Sequence, residues 1–184
     1  MKSNKIKIGA VATAVALSVT TAVSVGAAVS AQESTGMSNT TLAESSTPTA
    51  DVVEENGFQF DKSTGTITDY TGNETGTLTI PSSIDGVTVT SIKSYALGSA
   101  KMKEVIIPNT IETLGFGVFQ MCSSLEKVTF ESGSKVTELK DSMFYQCTKL
   151  KEVVFPENLK SIKVLAFYKC TSLETVTLPD GFTT

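Results

Sequence analysis

The chain has 184 residues, with 15 basic side chains against 19 acidic ones and a net charge of −4. Every basic residue is a lysine, and histidine, arginine and tryptophan do not occur. Without histidine there is no Ser-His or Cys-His nucleophile pair and no imidazole metal ligand. Without arginine there is no bidentate clamp for phosphate or carboxylate, and the acidic balance excludes ordinary duplex nucleic-acid binding.

Residues 1–31 read as a secretory signal peptide. Lys2, Lys5 and Lys7 form a positive start, Ile8 to Val29 carries no charge, and Val29-Ser30-Ala31 offers small residues for cleavage before Gln32. The rival reading is an uncleaved anchor, because 22 uncharged residues are long enough to span a bilayer. In that case the segment would be the chain's sole membrane contact.

Residues 32–55 have the composition of a disordered linker. Nine of the 24 are Ser or Thr, and Glu33, Glu44, Asp51, Glu54 and Glu55 meet no basic residue. Such a stretch buries too little apolar surface to offset its ordering entropy. Asn39-Thr40-Thr41 and Asn73-Glu74-Thr75 match glycosylation acceptors, a signal that matters only in a eukaryotic host.

Beyond the linker, Asp61-Lys62-Ser63-Thr64-Gly65 separates Phe58-Gln59-Phe60 from Thr66-Ile67-Thr68, which predicts a β-hairpin. The hairpin is placed to cap the C-terminal part of the chain, so residues 56–92 are assigned to an N-terminal cap with a first strand.

From residue 93 the chain repeats itself. Val105, Val128, Val153 and Val176 recur at gaps of 23, 25 and 23 residues. Columns of Leu125, Leu150 and Leu173, of Phe119, Phe144 and Phe167, and of Cys122, Cys147 and Cys170 keep the same phase. A further column joins Ile92, Leu114, Leu139 and Ile162. The two extra residues of the longer unit fall in Glu131-Ser132-Gly133-Ser134-Lys135, a turn-like stretch where a stacked unit tolerates an insertion.

Val105-Ile106-Ile107 before Pro108 and Val153-Val154-Phe155 before Pro156 alternate faces as strands do, with proline ending each. Phe119, Cys122 and Leu125 are three apart, which predicts a short helical or 3₁₀ return. One such unit cannot offset its own backbone entropy, so the units must stack, with their strands forming a parallel β ladder. The charges agree: Lys103, Glu126, Lys151 and Glu174 alternate in sign down one column, and Glu104, Lys127 and Glu152 alternate oppositely down the next.

The stretches Leu114-Gly115-Phe116-Gly117-Val118-Phe119-Gln120-Met121-Cys122-Ser123-Ser124-Leu125 and Ile162-Lys163-Val164-Leu165-Ala166-Phe167-Tyr168-Lys169-Cys170-Thr171-Ser172-Leu173 resemble BspA-type leucine-rich repeats. That family's pattern runs I-G-x-x-A-F-x-x-C-x-x-L-x-x-I-x-I-P. The resemblance covers about residues 78–184 and implies a leucine-rich-repeat solenoid, secreted or displayed on a cell surface, and often adhesive or protein-binding. Lys140 and Lys163 stand where the pattern has its small glycine, which puts the local turn geometry there in question. About four repeats are present, and Leu178-Pro179-Asp180-Gly181-Phe182 opens another, as expected of a piece of a longer parent.

No catalytic constellation emerges, and no cofactor is implied. The cysteines share the inward repeat position of Ala100, which predicts free buried thiols rather than a disulfide or metal site. The outward strand column is Thr79, Ile106, Thr129, Val154 and Thr177, flanked by Lys127 and Lys151. This strip is the candidate binding surface for a host, matrix or other cell-surface protein. The alternative is a passive stalk or targeting module of a longer secreted protein whose enzymatic domain lies elsewhere.

Overall fold

The computed structural model describes residues 4–7 and 51–183. Most of the expected signal peptide and residues 32–50 of the expected linker therefore lie outside the described residues. Asn4–Lys7 forms β1. Val52–Glu55 (β2), Phe58–Asp61 (β3) and Thr66–Tyr70 (β4) follow as an antiparallel meander. Thr77–Thr79 is β5, Ser83–Ile84 and Val87–Thr88 are the paired β6 and β7, and Ser91–Ile92 is β8. The repeats then alternate a longer with a shorter strand: Glu104–Ile107 (β9) and Thr113–Leu114 (β10), Lys127–Phe130 (β11) and Glu138–Leu139 (β12), Glu152–Val154 (β13) and Ser161–Ile162 (β14), and lastly Thr175–Leu178 (β15).

The long strands stack in parallel in the order β5, β9, β11, β13, with Leu78, Val105, Val128 and Val153 in register. This is the predicted ladder of a leucine-rich-repeat solenoid. The expected hairpin between Phe58 and Thr68 is also present. Its β4 does two jobs, pairing antiparallel with β3 and parallel with β8, so that Ile67 lies in register with Ile92. The cap is thereby continuous with the solenoid. β1 pairs antiparallel with β15.

Three features depart from the sequence reading. Val52–Glu55, assigned to the linker, is strand β2, because Asn56 (φ 50°) and Gly57 (φ 81°) make the left-handed turn that folds it onto β3. A side chain at residue 57 would also meet the Gly72 Cα at 2.7 Å. Second, the column of Ile92, Leu114, Leu139 and Ile162 is a ladder of its own: β4, β8 and β10 pair in parallel, as do β12 and β14.

Third, the returns are not helical: no described residue is in a helix. Each return is a pair of linked turns. Tyr95 and Ser99, Gly117 and Met121, Ser142 and Gln146, and Leu165 and Lys169 all have φ between 53° and 65°. A left-handed residue at every fourth position prevents helix propagation. Alternate amides instead point to the next unit, Phe119 N–H to Met143 O (3.1 Å) and Phe144 N–H to Ala166 O (2.8 Å). The amides between them close four-residue turns, Gln120 N–H to Gly117 O and Cys122 N–H to Phe119 O. The spacing of three reflects these turns.

The core is one column stack per repeat position. Phe119 and Phe144 are stacked with centroids 5.6 Å apart, and Phe144 and Phe167 at 5.3 Å. Phe144 is fully buried between its neighbours. Replacing it with alanine is expected to cost about 3–5 kcal/mol in a urea melt. A change below about 1 kcal/mol would show that the column does not hold the units together.

Candidate binding face

The first ladder sets the candidate strip. Thr79, Ile106, Thr129 and Val154 occupy equivalent, directly paired positions on β5, β9, β11 and β13. In a sheet, neighbouring strands lie about 4.8 Å apart, so the four side chains form a row. Inward residues Leu78, Val105, Val128 and Val153 are buried, whereas Thr79 and Val154 are exposed and Ile106 and Thr129 half-buried. Thr177 does not join this hydrogen-bonded sheet. It lies on β15, paired with Lys5 of β1.

Lys127 and Lys151 border the row but are not bare charges. Lys127 Nζ is 3.1 Å from Glu152, and Lys151 Nζ is 2.6 Å from Glu126. These are two of the alternating contacts expected from the sequence. The Lys151 hydrogen bond and charge hold the Glu126 carboxyl below its ordinary pKa. All four side chains are largely solvated, so the pairs fix orientation more than they stabilise.

The cysteines are inward, as expected, and add a polar ladder to the core. Cys122 Sγ–H donates to Leu97 O (3.1 Å), Cys147 to Phe119 O (3.0 Å) and Cys170 to Phe144 O (3.0 Å). Each thiol thus satisfies a carbonyl of the preceding unit. Burial pushes the Cys170 thiol up to about 12, and the neighbouring Cys122 sulfur together with burial raises that of Cys147. Among the described residues no cluster of His, Cys, Asp or Glu has the arrangement of a metal site, and no helix is long and apolar enough to cross a membrane.

Two surface features were not anticipated. Tyr95, Phe116, Met121, Val164 and Leu165 are exposed on the turn side of the solenoid, whereas Val154 is the large exposed apolar residue of the strip. Nearby, Tyr145 and Tyr168 stack at 5.0 Å, with Lys169 Nζ 5.5 Å from the Tyr168 ring. A helical reading of the returns hides their place at successive left-handed turns.

The second feature centres on Glu138, which receives Lys140 Nζ, Lys163 Nζ (2.8 Å) and Ser161 Oγ (3.1 Å). Lys140 and Lys163 are the residues that replace the family's glycine. At the matching Gly115, a Cβ would collide with the Ser94 amide nitrogen. Elsewhere in the column the space is used for lysines that converge on one carboxylate.

Lys140, then Lys163, then Ser161 hold the Glu138 carboxyl down to about 2 from its ordinary 4.5. A depressed carboxyl contributes stability that is complete above pH 4.5 and lost as the pH falls through 2. With the lysine partners 38% and 47% exposed, the loss is expected to be roughly 1–2 kcal/mol. Acid titration of the melting temperature should show a steeper fall over that window for the natural chain than for Glu138→Gln. Parallel curves would contradict it.

The model of the BspA-type leucine-rich repeat region matches residues 66–184 in six copies. The chain belongs to that family. The match starts in β4, inside the segment assigned to the cap, which agrees with the pairing of β4 and β8. A leucine-rich cell surface protein from Faecalibacterium prausnitzii A2-165 superposes with a TM-score of 0.62 at 29% identity, over 72% of this chain and 38% of that one. A leucine-rich repeat protein from Bacteroides capillosus ATCC 29799 gives 0.61 at 24% identity, over 69% of this chain and 97% of that one. The chain therefore matches well under half of the Faecalibacterium protein's length. No curated protein matches it.

Proposed function

We propose that this chain is a secreted or surface-displayed, non-catalytic repeat module that binds a host, matrix or other cell-surface protein through the outward face of its first ladder. The observation that carries this reading is the row Thr79, Ile106, Thr129 and Val154, one equivalent position per unit held in register by the parallel pairing. Short β-branched side chains let a partner approach the sheet closely, and extended faces of this kind are how stacked repeats build large contact areas. The Faecalibacterium relative is described as a cell surface protein, which supports the location.

The second reading, a passive stalk or targeting module, is favoured by the small share of that relative's length that the chain matches. It is also favoured by the pairing of Lys127 and Lys151 with neighbouring carboxylates, which leaves the strip with little free charge.

The two readings separate in a surface-binding assay against a panel of extracellular-matrix glycoproteins at physiological salt. Thr129→Lys combined with Val154→Lys is expected to weaken a binding partner at least tenfold without moving the melting transition by more than a few degrees. Lys169→Glu, on the turn side, should leave binding unchanged. Loss of binding in the Lys169 variant alone would place the contact on the other side. A panel without any binder would leave the passive module as the function.

A further inference from the structure

The turn side of the solenoid carries two largely bare aromatic residues in neighbouring units. Tyr95 is 58% exposed and Phe116 49%. Tyr95 N–H donates to Phe116 O (2.9 Å) and Phe116 N–H to Ser94 Oγ (3.0 Å), so their backbones lie side by side. The left-handed counterpart of Tyr95 in the next unit is Gly117, and the tyrosine ring extends over it. A Cβ at residue 117 would stand 2.6 Å from Tyr95 Cε1 and 2.8 Å from Cδ1, closer than side chains pack. The following units hold Ser142 and Leu165 at this position, so the second unit alone leaves the room. The glycine backbone thus supports one side of the ring and leaves more than half of the residue in solvent. Tyr145 and Tyr168, by contrast, turn their faces to each other at 5.0 Å, with Lys169 over Tyr168.

The surroundings of the two bare rings are polar. Gln120 Oε1 lies 3.0 Å from the same point above Gly117, beside the tyrosine ring. Ser94 Oγ accepts from Phe116 and keeps its own hydrogen to donate. Asp141 is exposed in the unit after Phe116. Its backbone carbonyl accepts from Gly117 N–H (3.0 Å) and its Oδ1 from Val164 N–H (3.0 Å), while Oδ2 takes part in neither bond. Two half-exposed aromatic side chains present about 150–250 Å² of surface. A stable protein interface takes about 800 Å² from each partner and shields its anchors from water. Of the other exposed apolar residues on this side, Met121 lies at the second left-handed turn, and Val164 and Leu165 belong to the fourth unit.

We propose that this face is a second binding site, for a neutral oligosaccharide of β-linked, gluco-configured pyranoses. In such a sugar every ring hydroxyl is equatorial, so both faces of the ring are made of C–H bonds. Those hydrogens carry partial positive charge and rest on the negative face of an aromatic ring. The rim of hydroxyls then meets the Gln120 amide, the Ser94 hydroxyl and the Asp141 carboxylate, which donate and accept around the rings. None of these groups is cationic, which disfavours an acidic sugar. The area of the two rings suits one or two sugar residues and is too small for a protein partner. The site is independent of the first ladder, so its failure leaves the reading of the sheet face untouched.

The test is an amide-resolved NMR titration of the full chain with cellotetraose. Saturable shifts are expected at Ser94, Tyr95, Phe116 and Gln120, with β9 and β11 unmoved. Tyr95→Ala and Phe116→Ala should each weaken binding at least fivefold and Gln120→Ala at least threefold, while Tyr95→Phe, which keeps the ring, should stay within twofold. Both aromatic side chains are largely exposed, so each alanine variant is expected to melt within a few degrees of the natural chain. If Tyr95→Ala fails to fold, Phe116→Ala and Gln120→Ala decide the matter. An absence of saturable shifts at these residues, or alanine variants that bind as well as the natural chain, would overturn the proposal. Shifts at the same residues from a deglycosylated matrix protein, with none from cellotetraose, would assign the face to protein contact instead.

Discussion

Everything in this molecule depends on one constraint: a repeat unit cannot satisfy its own backbone. Strand amides and carbonyls are paired with the units before and after, and so are alternate amides of the returns, as with Leu97 N–H to Val118 O and Met121 N–H to Tyr145 O. An unpaired buried backbone group costs about as much as a lost hydrogen bond, so each unit is stable only when stacked. The side chains follow this pairing. Phenylalanine rings stack because the backbones that carry them are in register, and each thiol reaches the carbonyl of the unit before it.

The same constraint explains where variation is tolerated. Two extra residues between β11 and β12 leave the first ladder and the phenylalanine column intact, because the lengthened connection is accommodated in a single loop. They are not without effect: the short ladder opens on that side. Replacement of glycine by Lys140 and Lys163 is likewise local, and gives Glu138 two cationic partners.

Much of this was legible from residue spacing. The valine column predicted β9, β11 and β13 and their parallel pairing, because inward residues of a stack recur at one fixed phase, whereas its fourth member, Val176, lies on β15, which pairs with β1 instead. Two of the alternating charge pairs were legible for the same reason. The returns were misread because a spacing of three is shared by 3₁₀ helices and by linked turns, and neither Met121 nor Gln146 announces a left-handed conformation as glycine would. Strand β2 was missed although Asn56-Gly57 is a strong hairpin signal, because the acidic composition of Asp51 to Glu55 outweighed it. The interruption of the short ladder between β10 and β12 was beyond reach, since the sequence placed the insertion in a loop but not the ladder whose pairing it would break.

Native-state hydrogen exchange tests the central claim most directly. The amides of Leu97, Phe119 and Phe144, which bond to the following unit at 3.1, 3.1 and 2.8 Å, should exchange only through unfolding of the whole stack. Their opening free energies should then equal the global value from urea melts and fall together in Phe144→Ala. Exchange of these amides as fast as that of the exposed loop at Ser132 and Gly133 would contradict it, and would show that the units are held together by something other than their shared backbone pairing.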